Sequence, residues 1–183
     1  MNELSLHILD ICQNSIKADA TLITIIIEED ISNNFYKIII GDNGHGMSEK
    51  TLGEFSDPFF TTRSTRKVGM GVPLFKMAAE MCNGTFKVDS IVNKGTVISV
   101  IFEHNHIDRA PLGDIGETLM ILILNEREVD VYYEHIFNNA KYIFDTREIK
   151  KVLDDIPFTD YSVIMWIKDN IKNGIKNLQK EVT

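Results

Sequence analysis

The chain has 183 residues, a formal net charge of -8 and 44% hydrophobic residues. That length suits one domain, or one with a small appendage, and the apolar share is that of a chain that buries an ordinary core. The acidic balance argues against nucleic acid as a partner, because phosphates call for a basic patch.

Residues 3–17 read as a helix, with Leu4, Ile8, Ile11 and Ser15 on one stripe at helical spacing. Glu3, His7 and Asp10 interrupt any early apolar run, so no signal peptide is expected. Thr21–Glu28 is a β-branched run and reads as a strand buried on both faces. Ser32–Asn33–Asn34 makes the turn into a second strand, Phe35–Gly41. Ser48 caps a short helix through Phe55, and Ser56–Val68, which contains Pro58, reads as a loop. Gly69–Met81 is a helix ended by Asn83–Gly84. Phe86–Ser90 and Thr96–Phe102 pair as a hairpin around Asn93–Lys94–Gly95.

After the turn-rich His104–Gly113, Asp114–Leu124 fits either a helix or a buried strand. The helix, capped by Asp114, is favoured. Val129–His135 and Lys141–Phe144 alternate as strands around Asn138–Asn139. Thr146 caps a helix to Asp154, and Asp160 caps a last helix toward Gln179 that carries Val163, Trp166, Ile167, Ile171 and Ile175. The longest apolar runs, near Leu22–Ile27 and Leu119–Leu124, fall far short of the roughly 20 residues of a membrane span, so no membrane partner is expected. Cys12 and Cys82 form no C-x-x-C pair and read as buried free thiols, which suits a reducing cytoplasm.

Four short motifs fall in a fixed order. They are Asp10–Ile–Cys–Gln–Asn14–Ser–Ile–Lys17 on the first helix, Asp42–Asn–Gly44–His–Gly46–Met47 after a strand, Asp57–Pro–Phe–Phe–Thr–Thr–Arg63 in a loop, and Gly69–Met70–Gly71 opening a helix. Any one alone is weak, but an acid and an Asn one helical turn apart, then an Asp before a glycine turn, then a glycine-opened helix, rarely coincide. On these motifs, over roughly residues 3–103, the chain resembles the Bergerat-fold (GHKL) ATPases: type II topoisomerases, ninety-kilodalton chaperones, histidine kinases and mismatch-repair ATPases. The stretches DPFFTTR and GMGVPLFKMAAEMCNGTFKVDS look most like a histidine-kinase catalytic domain, and QNSIKADATLITIII also resembles the anti-sigma-kinase version. The resemblance implies an α/β fold: a two-layer sandwich, a mixed sheet covered by helices, over residues 1–107. Residues 108–183 would be a small α+β appendage.

The resemblance implies ATP and Mg²⁺ as ligands. Asn14 would give Mg²⁺ a hard oxygen ligand. Asp10 stands where the family positions or activates the attacking water. It is one methylene shorter than the Glu of the hydrolysing branch, and a solvated helix acid is the other reading. Lys17 would reach phosphate or stay in solvent. Asp42 would accept the exocyclic amine of adenine, with Gly44 and Gly46 permitting positive φ and close approach to the base. Met47 would pack on the ring, while His45 would be a spectator.

Gly69, Met70 and Gly71 would present N–H groups at a helix N-terminus to phosphate. Lys67 stands in place of the family's first lid glycine, and Arg63, Arg66 and Lys67 would face phosphate or form a solvated loop. Phe59 and Phe60 would anchor this lid. Thr96 would support Asp42 through water, or be an ordinary strand Thr.

No phosphoacceptor helix is expected before the first motif, and 108–183 looks too small for a transducer. Two function classes follow. One is an enzyme that binds ATP/ADP and transfers phosphate to a separate protein partner. The other is an ATP-gated binding module with slow hydrolysis. Chemistry on a small metabolite would need a second pocket motif, and none is legible. Residues 108–183 could pair two copies as a homodimer or dock a partner.

Overall fold

The computed structural model describes residues 3–55 and 71–180. Its elements are α1 (Leu4–Lys17), β1 (Leu22–Asp30), β2 (Phe35–Asp42), α2 (Glu49–Phe55), α3 (Gly71–Met81), β3 (Thr85–Ile91), β4 (Gly95–Glu103), α4 (Ile115–Ile123), β5 (Asp130–Phe137), β6 (Ala140–Asp145), α5 (Thr146–Leu153) and α6 (Tyr161–Lys180). One six-stranded sheet runs β3-β4-β2-β1-β5-β6. Among the described residues only the β1–β5 pair in it is parallel.

Side chains alternate across a strand, and here the alternation separates a dry face from a partly wet one. Ile23, Ile25 and Ile27 of β1 are buried beside Tyr36, Ile38 and Ile40 of β2 and Ile98, Val100 and Phe102 of β4. Register brings them level: Ile25 opposes Ile40, and Ile40 opposes Ile98. The intervening Leu22, Thr24 and Ile26 are only half-buried. The expectation that β1 is buried on both faces is therefore corrected. Helices cover one face, giving two layers. In that layer α1 packs between α3 and α4, and α4 packs on α6.

α1 turns Leu4, Ile8, Ile11, Cys12, Ser15 and Ile16 inward at helical spacing. Both cysteines are buried free thiols. α3 buries Val72, Phe75 and Ala79. It ends where Asn83 takes φ of +53° and the Gly84 N–H donates to the Ala79 carbonyl at 2.9 Å, a left-handed stop that Asn tolerates. Asp114 caps α4, its carboxylate accepting from the Glu117 N–H.

Two local expectations change. Asp145, not Thr146, caps α5, accepting from the Arg147 N–H at 2.9 Å. Thr146 is buried, and its hydroxyl accepts from the Val131 N–H and donates to Asp130. Trp166 is 50% exposed, while Val163, Ile167, Ile171 and Leu178 carry the buried stripe of α6. Among the described residues no helix is long and apolar enough to cross a membrane.

Candidate functional site

The second motif is fastened from three sides. Asp42 ends β2, level with Ile23 on one side and Thr96 on the other. Its Oδ2 accepts from the Ser15 hydroxyl at 2.7 Å and its Oδ1 from the Gly44 N–H at 2.9 Å. Each carboxylate oxygen accepts two hydrogen bonds, so this half-buried group is held in one orientation with acceptor capacity to spare.

Asn43 ties the loop to the start of β1. Its Oδ1 accepts from the Thr21 and Leu22 N–H groups, and its Nδ2 donates to the Thr21 hydroxyl. The His45 N–H donates to the Ala18 carbonyl at the end of α1, and the His45 carbonyl accepts from Asn93 in the β3–β4 turn. The His45 ring itself stays at the surface, against the Gly46 carbonyl.

The glycines have separate reasons. A Cβ on Gly44 would lie 2.6 Å from the Ala18 carbonyl oxygen, and one on Gly46 2.1 Å from that of Ile91. Only Gly46 of the two takes positive φ, +62°. Close backbone contact with α1, not a left-handed turn, requires glycine at 44. The Met47 N–H donates to the Ser90 hydroxyl, which also meets the Thr96 hydroxyl at 2.9 Å. Thr96 thus sits beside Asp42 in register and joins the chain that holds Met47.

Asp10 and Asn14, one turn apart on α1, are half-buried, and Lys17 is exposed. No hydrogen bond engages their side chains among the described residues. Asp10 lies against the first residue of α3: a Cβ on Gly71 would come within 2.7 Å of its Cβ and its Oδ2. The carboxylate therefore sits at a helix N-terminus, where a negative charge is favoured. One turn earlier, buried His7 stacks on Phe75 at 4.9 Å, with ring planes 9° apart. Burial holds its imidazole below the ordinary value, so it packs as a neutral ring that locks α1 against α3.

Arg63, Lys67, Gly69 and Met70 lie outside the described residues, as do Phe59 and Phe60. The structure thus brings Asp42, Gly44, Gly46, Met47 and Thr96 together at the end of β2 and sets Asp10 against Gly71, while Asn14 and Lys17 lie further along α1. Among the described residues no cluster of three or more His, Cys, Asp or Glu stands ready for a metal. The unpaired Asn14 amide and the oriented Asp42 carboxylate fit a nucleotide that brings its own cation. Sequence reasoning passed over Ser15, Asn43 and Ser90. Ser15 had a signal, a hydroxyl on an otherwise apolar stripe; Ser90 had none, because its role depends on pairing across the hairpin.

A mixed sheet under a helical layer, with a fixed acid at a strand end beside the first helix, makes a two-layer α/β unit. The histidine kinase-, DNA gyrase B- and HSP90-like ATPase family matches residues 2–106, more than half of the chain, and the chain belongs to it. Among relatives it is 33% identical over 87 residues to the Bacillus subtilis sensor histidine kinase YvrG, covering 45% of this chain and 15% of that one. It is 29% identical over 103 residues to Bacillus subtilis sporulation kinase A, covering 55% and 16%. Against sporulation kinase C of the same organism it is 26% identical over 100 residues, covering 55% and 23%. The chain thus matches less than a quarter of each relative's own length.

Proposed function

We propose that the protein binds Mg-ATP between the ends of α1 and β2 and works as a histidine-kinase-like signalling module, passing the γ-phosphate to a separate protein. The observation that carries this reading is the Asp42 carboxylate, held by Ser15 and Gly44 with acceptor capacity free beside α1. A fixed acceptor suits the exocyclic amine of adenine and disfavours the carbonyl of guanine. Asn14 would ligate the Mg²⁺ that bridges the phosphates. Lys17, Arg63, Lys67, Gly69, Met70 and Gly71 would meet the phosphates themselves, and Met47 would pack on the base. Asp10, against Gly71, would order or deprotonate the nucleophile. Mg-ATP, when bound, would supply the transferable phosphoryl group, and the residues above would position it.

A second reading has one observation behind it. Asp10 is shorter than a Glu and is packed against the α3 terminus, which suits slow turnover and an ATP-gated change of protein interface. Residues 108–183 add β5 and β6 to the same sheet through the β1–β5 pair, and we take them as an adaptor for the partner or for a second copy. The test is incubation with γ-labelled ATP and Mg²⁺, following free phosphate and protein-bound label, with Asp10→Ala as control. Label on an added partner supports transfer. Bound, intact ATP that strengthens partner binding supports the switch. Failure to bind ATP refutes both.

A further inference from the structure

A cavity lies away from the proposed nucleotide site. It has a volume of about 980 Å³ and opens between the start of α4, α6 and the sheet, at the upper end of the size of small-molecule sites. In one wall Glu29 and His135 belong to a chain of buried and half-buried polar groups. The Tyr133 hydroxyl meets His135 Nδ1 at 2.9 Å, His135 Nε2 meets Glu29 Oε1 at 2.7 Å, and His104 Nε2 meets Glu29 Oε2 at 3.1 Å. Both oxygens of Glu29 are therefore engaged.

What remains unpaired there is a set of donors. The Tyr36 hydroxyl is buried without a partner among the described residues, in a residue 1% exposed. Burial raises its pKa well above the ordinary value, so it stays protonated. Arg109 places its guanidinium 4.6 Å from the centre of the Tyr36 ring. Its Nε donates to the His104 carbonyl at 2.6 Å, and its two terminal nitrogens have no hydrogen bond among the described residues. A buried donor left unpaired is costly, and a guanidinium fork matches a carboxylate with two parallel bonds. Of the other acids in the wall, Asp114 caps α4 and Glu3 packs on the Gly113 backbone. The lining also holds the apolar Leu112, Ile115, Met165 and Ile171, and the exposed Glu117, Lys168, Asp169 and Lys172.

We propose that this cavity is a second ligand site, for a small amphipathic carboxylate whose acid group meets Arg109 and Tyr36 and whose apolar body lies along Leu112, Ile115, Met165 and Ile171. It uses none of the nucleotide-site residues, so it stands whether or not the proposed ATP reading does.

The probe is octanoate, titrated calorimetrically into the full chain, with 1-octanol and octylammonium in parallel. Octanoate should bind saturably, and the neutral and cationic analogues at least about tenfold more weakly. Arg109→Gln should weaken octanoate about tenfold or more, and the near-isosteric Tyr36→Phe about fivefold. Tyr36→Phe preserves shape and loses only an unpaired hydroxyl, so it should fold and keep the test valid should Arg109→Gln unfold. Asp42→Asn should leave octanoate binding unchanged. No saturation by about 10 mM octanoate, equal binding of 1-octanol, preference for octylammonium, or unaltered octanoate affinity in Tyr36→Phe would each overturn the proposal.

Discussion

Ser15→Ala isolates the feature on which the proposed nucleotide site turns. Ser15 is 3% exposed, and its hydroxyl donates to Asp42 Oδ2 at 2.7 Å. A hydrogen bond to a charged acceptor contributes about 1.5–3 kcal/mol. Asp42 is half-buried, so water can replace part of what the hydroxyl supplies, and the lower end of that range applies. The Gly44 N–H still holds Oδ1, so the carboxylate loses one of two anchors and can rotate about the other. About 1.5 kcal/mol corresponds to roughly tenfold weaker ATP or ADP binding. Removing one hydroxyl from a packed helix face leaves the fold in place, and Ser15→Thr, which keeps the donor, should recover part of the affinity. Calorimetric titration of ADP against the three proteins, with urea unfolding of each, reads both quantities. Affinity unchanged within about twofold in Ser15→Ala, alongside lowered stability, would refute the reasoning. The Ser15–Asp42 bond would then tie α1 to β2 without orienting the carboxylate for a ligand.

Other predictions follow from the same contacts. Gly71→Ala places a Cβ 2.7 Å from the Asp10 Cβ, which the α1 backbone cannot easily move. Overpacking of this kind costs about 1–3 kcal/mol, a fall of roughly 2–4 °C in melting temperature per kcal/mol for a chain of this size. ATP turnover should drop more than ATP affinity, and an unchanged melting curve would contradict the α1–α3 contact. Gly46→Ala combines φ of +62° with a Cβ 2.1 Å from the Ile91 carbonyl oxygen, and should lower the urea midpoint more than Gly71→Ala does.

Glu29 gives a pH dependence. Burial, the largest influence, pulls its pKa up, but the hydrogen bonds and charges of His135 and His104 outweigh it and hold the carboxyl below its ordinary 4.5. A depressed carboxyl stabilises the fold above its unfolded value, and that stability is lost as pH falls through the folded value. Stability should therefore decline below about pH 4.5. Glu29→Gln should flatten that decline in urea midpoints taken at a series of pH values, and an unchanged slope would contradict it.

The elements whose cause is local were legible. The helical stripe of α1, the Asn93–Lys94–Gly95 turn and the Asp114 cap each depend on residues a few positions apart, and each appears where spacing put it. The motif order identified the family for the same reason, because each motif is a short run at one element boundary. What stayed hidden depends on pairing across long stretches of chain. Parallel pairing of β5 with β1 joins Leu22 to Asp130, and no local periodicity announces it. The same pairing brings His135 to Glu29, and the β4 end brings His104. The buried polar chain and the cavity beside it were therefore invisible in the sequence.

At the proposed nucleotide site, the place of Asp42 at a strand end before a glycine was legible, while its partner Ser15 was counted with the apolar stripe. Thr146 was read as a cap because Thr caps commonly, yet the residue before it holds a carboxylate that does so, leaving the Thr hydroxyl to bridge β5. Trp166 has the apolar character of a core residue but falls between the buried Val163 and Ile167 of α6 on the outer side.

The most direct test of the central claim is equilibrium binding of ATP, with and without Mg²⁺, to the unaltered protein and to Asp42→Asn and Asn14→Ala. The account predicts saturable binding that Asp42→Asn abolishes, and binding to Asn14→Ala that no longer responds to Mg²⁺. Wild-type affinity with full Mg²⁺ dependence in both variants would contradict it.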